Sequence, residues 1–280
     1  MTEMPNPMKP HLATLTDIQD LAEGIKLFRI KLNDESGREQ FKNYEPGQFA
    51  FLSAFGVGEA PFGIASVPQR GEALEFAVME IGTVTAALHR MEPGEIVGLR
   101  GPLGNSFPMN EFEGQNIVVL GGGIGGAPLR PVIQTILDNR AAYGHLDILW
   151  AAREPSLLVF TDEYDEWRAA PDTALHLTVD QANGNWQGNV GLITELLEKV
   201  APSPEKAVAV ICGPPIMIKF AALTLSKLGF APEQMIMTLE AKMKCGIGKC
   251  GRCNMGDKFV CIHGPVFSYT KVSEFLESFV

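Results

Sequence analysis

The sequence is poor in the features that mark several large classes of protein. No stretch of its 280 residues approaches the roughly 18 consecutive apolar residues of a membrane span. The opening MTEMPNPMKPHLATL has no basic segment followed by an apolar one, so a secretory leader is not expected. Basic residues are outnumbered, 23 Lys and Arg against 33 Asp and Glu. The resulting net charge of −10 removes the electrostatic footprint that nucleic acid requires. Histidines number five and are scattered, and no Ser/His/Asp set or paired-carboxylate site stands out. Internal repeats and low-complexity tracts are also missing. These absences predict a cytoplasmic chain in a reducing compartment, with no nucleic acid and no membrane among its partners. At 46% hydrophobic composition, the chain can fill one large core or two ordinary ones.

Cysteine is scarce too, five in all, yet Cys245, Cys250, Cys253 and Cys261 share one stretch, CGIGKCGRCNMGDKFVC. A C-x4-C-x2-C opening with a later fourth cysteine is the plant-type ligand pattern of a [2Fe–2S] cluster. A structural zinc also accepts four thiolates, but from two short pairs separated by a long spacer. A disulfide framework belongs to small secreted chains. Gly246, Gly248 and Gly251 lie between the cysteines, and glycines let backbone N–H groups approach the sulfurs and tune a cluster. The spacing favours the iron–sulfur reading over both rivals. His263 nearby reads as a surface or hydrogen-bonded residue rather than a ligand.

Up to about residue 110, short apolar runs such as IKLFRIKL, GQFAFLSAF, ALEFAVMEI and EIVGLRG alternate with turns at Pro46-Gly47 and Pro93-Gly94. That pattern predicts antiparallel strands in a sandwich or barrel. From Gln115 onward, NIVVL, LDILWAA, ALHLTV and AVAVIC alternate with helical stretches. These are PLRPVIQTILDNR, a segment around Asp162–Arg168, LITELLEKV and IMIKFAALTLSKLGF. Strands alternating with helices predict a parallel α/β sheet. One more strand, QMIMTLE, precedes the cysteines. The expected division is a barrel over 1–112, an α/β domain over 113–232 and a cluster lobe over 233–280.

Between NIVVL and its helix, GGGIGGA puts Gly121, Gly123 and Gly126 in G-x-G-x-x-G register, with Gly122, Ile124, Gly125 and Ala127 between and after them. Glycines there let backbone meet a pyrophosphate at a helix N-terminus, where free N–H groups and the dipole favour anions. Pro128 fits the first helical turn. A tight turn with no ligand is the plainer alternative. A second signal, Cys212-Gly213-Pro214-Pro215, ends a later strand, where open α/β sheets bind ligands. A buried inert thiol is the alternative for Cys212. Arg153 closes the second parallel strand near the expected position of an adenosine ribose, which leaves NADH and NADPH both open.

PGQFAFLSAF, GEAPFGIASVP and MEIGTVTAALHRMEPGEIVGLRGPLGNSF, followed by GGGIGGAPL and CGPP, resemble the ferredoxin–NADP reductase superfamily. The resemblance implies an N-terminal antiparallel Greek-key flavin barrel, a parallel-sheet nucleotide-binding domain and a small C-terminal [2Fe–2S] lobe. It places Pro61, Phe62, Gly63, Ile64, Ala65 and Ser66 along the isoalloxazine, and Gly82, Thr83, Val84 and Thr85 on phosphate. The superfamily's Arg-Pro-Tyr/Phe-Ser is Ala60-Pro61-Phe62-Gly63 here, so the usual phosphate-binding Arg is missing and FAD and FMN both stay open. LEAKMKCGIGKCGRC and FVCIHGPVFSY look closer to electron-transfer subunits of nickel–iron hydrogenases (sulfhydrogenases), anaerobic sulfite reductases and heterodisulfide reductase-linked diaphorases. The same stretch is related to the dihydroorotate dehydrogenase electron-transfer subunit.

The similarity runs from about Ala13 to Tyr269. It implies a relay of NAD(P)H, FAD and a [2Fe–2S] cluster within a hetero-oligomer, passing electrons to or from a catalytic redox subunit or ferredoxin-like carrier. Cys212 would stand near the nicotinamide. A stand-alone reductase and a redox sensor without turnover are the alternatives.

Overall fold

The computed structural model describes residues 6–276. Six antiparallel strands come first: β1 (His11–Ala22), β2 (Ile25–Leu32), β3 (Phe49–Ala54), β4 (Gly58–Gly63), β5 (Leu74–Met79) and β6 (Ile96–Leu103). Their order is β4-β3-β6-β1-β2-β5, and β4 approaches β5, so the sheet curls into a barrel. β2 shows how the sequence serves two neighbours. Phe28, Ile30 and Leu32 fill the barrel interior, whereas Ile25 and Leu27 join a core shared with the second sheet.

The second sheet is built from β7 (Asn116–Gly122), β8 (Leu146–Ala152), β9 (Thr173–Val179), β10 (Asn189–Val190), β11 (Ala207–Cys212) and β12 (Met235–Thr238). These six strands are parallel, in the order β10-β9-β8-β7-β11-β12. β7 and β11 are buried almost throughout, as strands covered on both faces must be. After a two-stranded hairpin, β13 (Asn254–Met255) and β14 (Lys258–Phe259), the chain returns as β15 (Val266–Ser268), antiparallel to β12. The expected barrel, parallel sheet and C-terminal cysteine lobe are all present. The sequence signals do not announce β10, β15 or the helix Glu35–Gln40, because each is too short to show a period.

Two polar contacts fix these parts relative to one another. Arg130, on the helix Gly126–Asp138, is buried and donates to the Ala65 carbonyl (2.7 Å), to Glu75 of the barrel and to Glu163 (2.5 Å). Its guanidinium also lies over the Phe160 ring at 4.9 Å. Burial lifts the Glu163 carboxyl above its ordinary pKa, and Arg130 opposes that rise. Without the cation, Glu163 would be enclosed with no counter-ion, a deficit of about 3–5 kcal/mol, while Glu75 would keep Arg29 at 2.7 Å. At the lobe, Asn105 donates to the Val266 carbonyl (2.8 Å) and accepts from the Val266 N–H (2.9 Å), while its own N–H donates to the Gly264 carbonyl (2.7 Å). No helix among the described residues is long and apolar enough to cross a membrane.

Candidate functional site

Strand order reverses at β7. The chain moves from β7 to β8 on one side and later returns to β11 on the other, which opens a crevice beyond the carboxyl ends of β7 and β11. The two glycine motifs meet there, with Cys212 paired to Gly121 in register. Gly125 passes so close to Gly213 that a Cβ on it would lie 2.7 Å from that residue's N and Cα atoms. A Cβ on Gly121 would lie 2.6 Å from the Trp150 ring, and Gly123 has a φ of +57°, so both positions require glycine for different reasons. The loop forms one tight turn, Gly123–Gly125, before the helix begins at Gly126.

Two adjoining clefts occupy this region. The first has about 1000 Å³ of empty space between the barrel residues Phe49, Pro61, Phe62 and Gly63, the glycine-loop residues Ile124, Ala127 and Pro128, and the segment Thr238–Met243. The second, about 820 Å³, lies over Gly122–Gly125 and Gly213–Pro215. Met79, Ile124, Leu239 and Glu240 line both. The walls are mainly apolar with few polar groups, as expected of a small-molecule site. Thr238 Oγ1 is buried beside the Cys212 thiol and has no other hydrogen-bond partner. Glu240, which sequence reasoning passed over, forms no ion pair or hydrogen bond among the described residues. Water reaches it, yet burial in the cleft raises its carboxyl pKa above the ordinary value. A single acidic residue after QMIMT gave no signal that it would face a cavity.

The remaining expected site residues separate into groups. Gly63 meets Pro128, 3.1 Å from where its Cβ would be, so little space remains for the superfamily's Ser. Ile64, Ala65 and Ser66 are buried and line neither cleft: Tyr44 engages the Ser66 hydroxyl at 2.8 Å, and the Ile64 and Ala65 N–H groups donate to the Gln48 and Glu75 carbonyls (3.0 and 2.8 Å). Gly82 opens the helix Thr83–His89, where Thr85 Oγ1 accepts from the Ile81 and Gly82 N–H groups (3.0 and 2.9 Å). Thr85 lines the first cleft, whereas Val84 packs against the barrel interior. Burial pushes the Cys212 thiol up to about 12, which keeps it protonated at neutral pH. Arg153 is exposed beyond β8, outside the lining of both clefts.

The cysteine loop turns its own backbone inward. Cys245 Sγ accepts from the N–H groups of Ile247 (3.5 Å), Lys249 (3.3 Å) and Cys250 (3.4 Å), and Cys261 Sγ from Gly248 (3.2 Å). Positive φ values of 72°, 73° and 69° at Gly246, Gly248 and Gly251 produce this concavity of N–H groups. Burial works to raise the Cys245 pKa, but the converging N–H groups outweigh it and bring the thiol down to about 6. Cys261, where burial and then Cys253 dominate, is pushed up to about 11. Cys250 adjoins the Cys245 thiol and Cys253 the Cys261 thiol. Four cysteines in this spacing, on a loop whose N–H groups turn toward sulfur, have the donor set of a two-iron cluster.

Comparison with known proteins covers the same regions. Residues 119–222 match the family described as oxidoreductase NAD-binding domain. Residues 240–273 match the iron-sulfur cluster binding domain of dihydroorotate dehydrogenase B. The chain is 38% identical to the sulfhydrogenase 1 subunit gamma of Pyrococcus furiosus, over 94% of this chain and 92% of the relative. It is 30% identical to a probable dihydroorotate dehydrogenase B (NAD(+)) electron transfer subunit of Methanocaldococcus jannaschii, over 92% and 90%. Among solved structures, an NADH-dependent reduced ferredoxin–NADP oxidoreductase superposes with a TM-score of 0.76 at 24% identity, covering 99% of this chain and 94% of that one.

The close approach of the two glycine loops leads to a stability prediction. Gly125→Ala forces a Cβ against Gly213 backbone and is expected to cost about 1–3 kcal/mol in urea unfolding. Gly82→Ala, with extended backbone and open space around it, should cost less than about 1 kcal/mol.

Proposed function

The chain belongs to the family of the sulfhydrogenase gamma subunits and the dihydroorotate dehydrogenase B electron-transfer subunits, and we propose that it passes electrons between NAD(P)H, FAD and a [2Fe–2S] cluster, to or from a separate catalytic subunit. The observation that carries this reading is one short segment. Met243 lines the first cleft and Cys245 follows two residues later, so their Cα atoms are at most about 7 Å apart. A flavin cleft and a cluster loop sharing a wall in this way leave no room for an intervening carrier.

The chemistry these groups supply when bound is hydride exchange at the nicotinamide, conversion of electron pairs to single electrons at the flavin, and one-electron carriage at the cluster. The chain's own residues bind, orient and insulate. Phe49, Pro61 and Phe62 give the first cleft an apolar wall against water, and Gly63 lets Pro128 close its floor. Gly122–Gly126 and Gly213–Pro215 present backbone to the nucleotide at the switch point. Cys212, held protonated and buried behind the linings of both clefts, packs beneath the nicotinamide site and does not act as a nucleophile. Cys245, Cys250, Cys253 and Cys261 hold the cluster. The division proposed is a flavin barrel over 1–112, a nucleotide domain over 113–232 and a cluster lobe over 233–280. β12 and β15 bind the last of these into the second sheet.

The catalytic partner proposed is of the hydrogenase type, supported by the higher identity to a sulfhydrogenase gamma subunit. The matching iron–sulfur domain supports a dihydroorotate dehydrogenase-type partner as the second reading. In either case the surface it presents to the cluster is acidic. Lys242, Lys244, Lys249 and Arg252 are exposed with no ion pair among the described residues, and no carboxylate occurs between Glu240 and Asp257. They form a basic collar on a chain of net charge −10, beside the exposed Cys250.

Four sets of measurements check this reading. The anaerobically purified chain should carry about two irons, two sulfides and one FAD, and should reduce a dye with NAD(P)H through many turnovers. Cys253→Ser should abolish the cluster spectrum while NAD(P)H still bleaches the flavin. A colourless protein, or dye reduction that stops after one equivalent, contradicts it. Glu240, as an acceptor for a ligand N–H, should add roughly tenfold or more to nucleotide affinity. Because its pKa is raised, that contribution is present once the carboxylate ionises and disappears as pH falls through a value above the ordinary 4.5. In fluorescence titrations Glu240→Gln should bind weakly with no such pH step. Electron transfer to an acidic one-electron carrier should slow as ionic strength rises and drop at least tenfold in Lys244→Glu/Arg252→Glu, with NAD(P)H reduction of the flavin unchanged.

A further inference from the structure

Arg100 lies on β6, on the face of the barrel that meets the cysteine loop, and only 3% of its side chain is exposed. Its fork divides between two parts of the molecule. One nitrogen donates to the Cys245 carbonyl at 2.7 Å. The other and the Nε donate to the Glu59 carboxylate of β4, at 2.7 and 3.3 Å. Its guanidinium stacks over Phe51 of β3 at 4.2 Å, and Phe51 packs against Phe49, which lines the first cleft. Gly246, the next residue of the loop, comes so near the same wall that a Cβ on it would fall 2.6 Å from Phe51 and 2.9 Å from Leu103.

A cation buried this completely is weakly screened, so its field reaches neighbouring charges more strongly than it would through water. The group it neighbours is the Cys245 peptide, whose thiolate gathers negative charge when a cluster is held there. Reduction adds one more negative charge to that group. Lysine would retain the charge but lose the planar fork that reaches Cys245 and Glu59 together.

We propose that Arg100 is a positioning residue that ties the cysteine loop to the flavin barrel and raises the reduction potential of the cluster, with Glu59 as the counter-charge that sets how far. This rests on the cluster reading above. It assigns opposite effects to two residues that touch each other. Removing the cation disfavours the reduced state, whereas neutralising Glu59 leaves the cation less compensated and favours it. A purely structural tether gives no such reversal of sign.

The test is a redox titration of the full-length, cluster-loaded chain followed by electron paramagnetic resonance, with Arg100→Gln, Arg100→Lys and Glu59→Gln compared with the unaltered protein. At a fixed ambient potential, Arg100→Gln should lower the reduced-to-oxidised ratio threefold or more, about 30 mV at 59 mV per tenfold. Glu59→Gln should raise it by a similar factor. Arg100→Lys should shift it less than Arg100→Gln, while amide exchange at residues 245–251 quickens in both. Coincident midpoints, or shifts of the same sign in Arg100→Gln and Glu59→Gln, overturn the proposal. If Arg100→Gln fails to retain iron, Glu59→Gln decides alone: an upward shift supports the proposal, and an unchanged or lower midpoint overturns it. An unaltered protein lacking any iron–sulfur signal would instead defeat the cluster reading itself.

Discussion

The molecule depends on one buried guanidinium. Arg130 leaves the first turns of the nucleotide helix and reaches the Ala65 carbonyl and Glu75 of the barrel while also holding Glu163. Its partners come from different parts of the chain, so the contact exists only when barrel and sheet are correctly seated. The glycine loop sits at the N-terminus of the same helix. One ion cluster therefore fixes the distance between the Pro61–Gly63 wall and the Gly121–Gly126 loop, and the clefts are a result of that spacing. Desolvation makes the arrangement exacting, because an enclosed charge tolerates few positions away from its counter-ion.

Much of the architecture was legible because its causes are local. Alternation in IKLFRIKL, the apolar runs NIVVL and AVAVIC, and the change from one grammar to the other near Gln115 all arise from backbone periodicity. The glycine motifs were legible for a related reason: a missing Cβ leaves a mark in sequence wherever backbone must touch backbone, ring or ligand. The cysteine spacing carried the most information, since few folds place three thiolates so close together.

What stayed hidden involves distant pairings and direction. Arg130 finds Glu75 across 55 residues, and Arg100 finds Cys245 across 145. No pattern in one chain announces such a partner. Glu240 lies two residues beyond an ordinary strand and gains its importance only from the cavity it faces. Ile64, Ala65 and Ser66 follow Pro61–Gly63 without a break, yet all three are buried, Ile64 in the barrel and Ala65 in the core shared with the second sheet, while Tyr44 takes the Ser66 hydroxyl. Gly63 could be read as a departure from a familiar motif. The reason for it, contact with Pro128, belongs to the helix Gly126–Asp138, more than 60 residues further along the chain.

The short strand β15 has a consequence for traffic through the molecule. By hydrogen-bonding to β12, with Asn105 gripping its first residue, it sews the far end of the iron-binding lobe into the same fabric as the nucleotide sheet. A lobe stitched on both sides of its cysteines is a socket and not a swinging arm. Whatever docks beside the exposed Cys250 therefore meets a fixed surface, and any adjustment of alignment has to come from the other side of the seam.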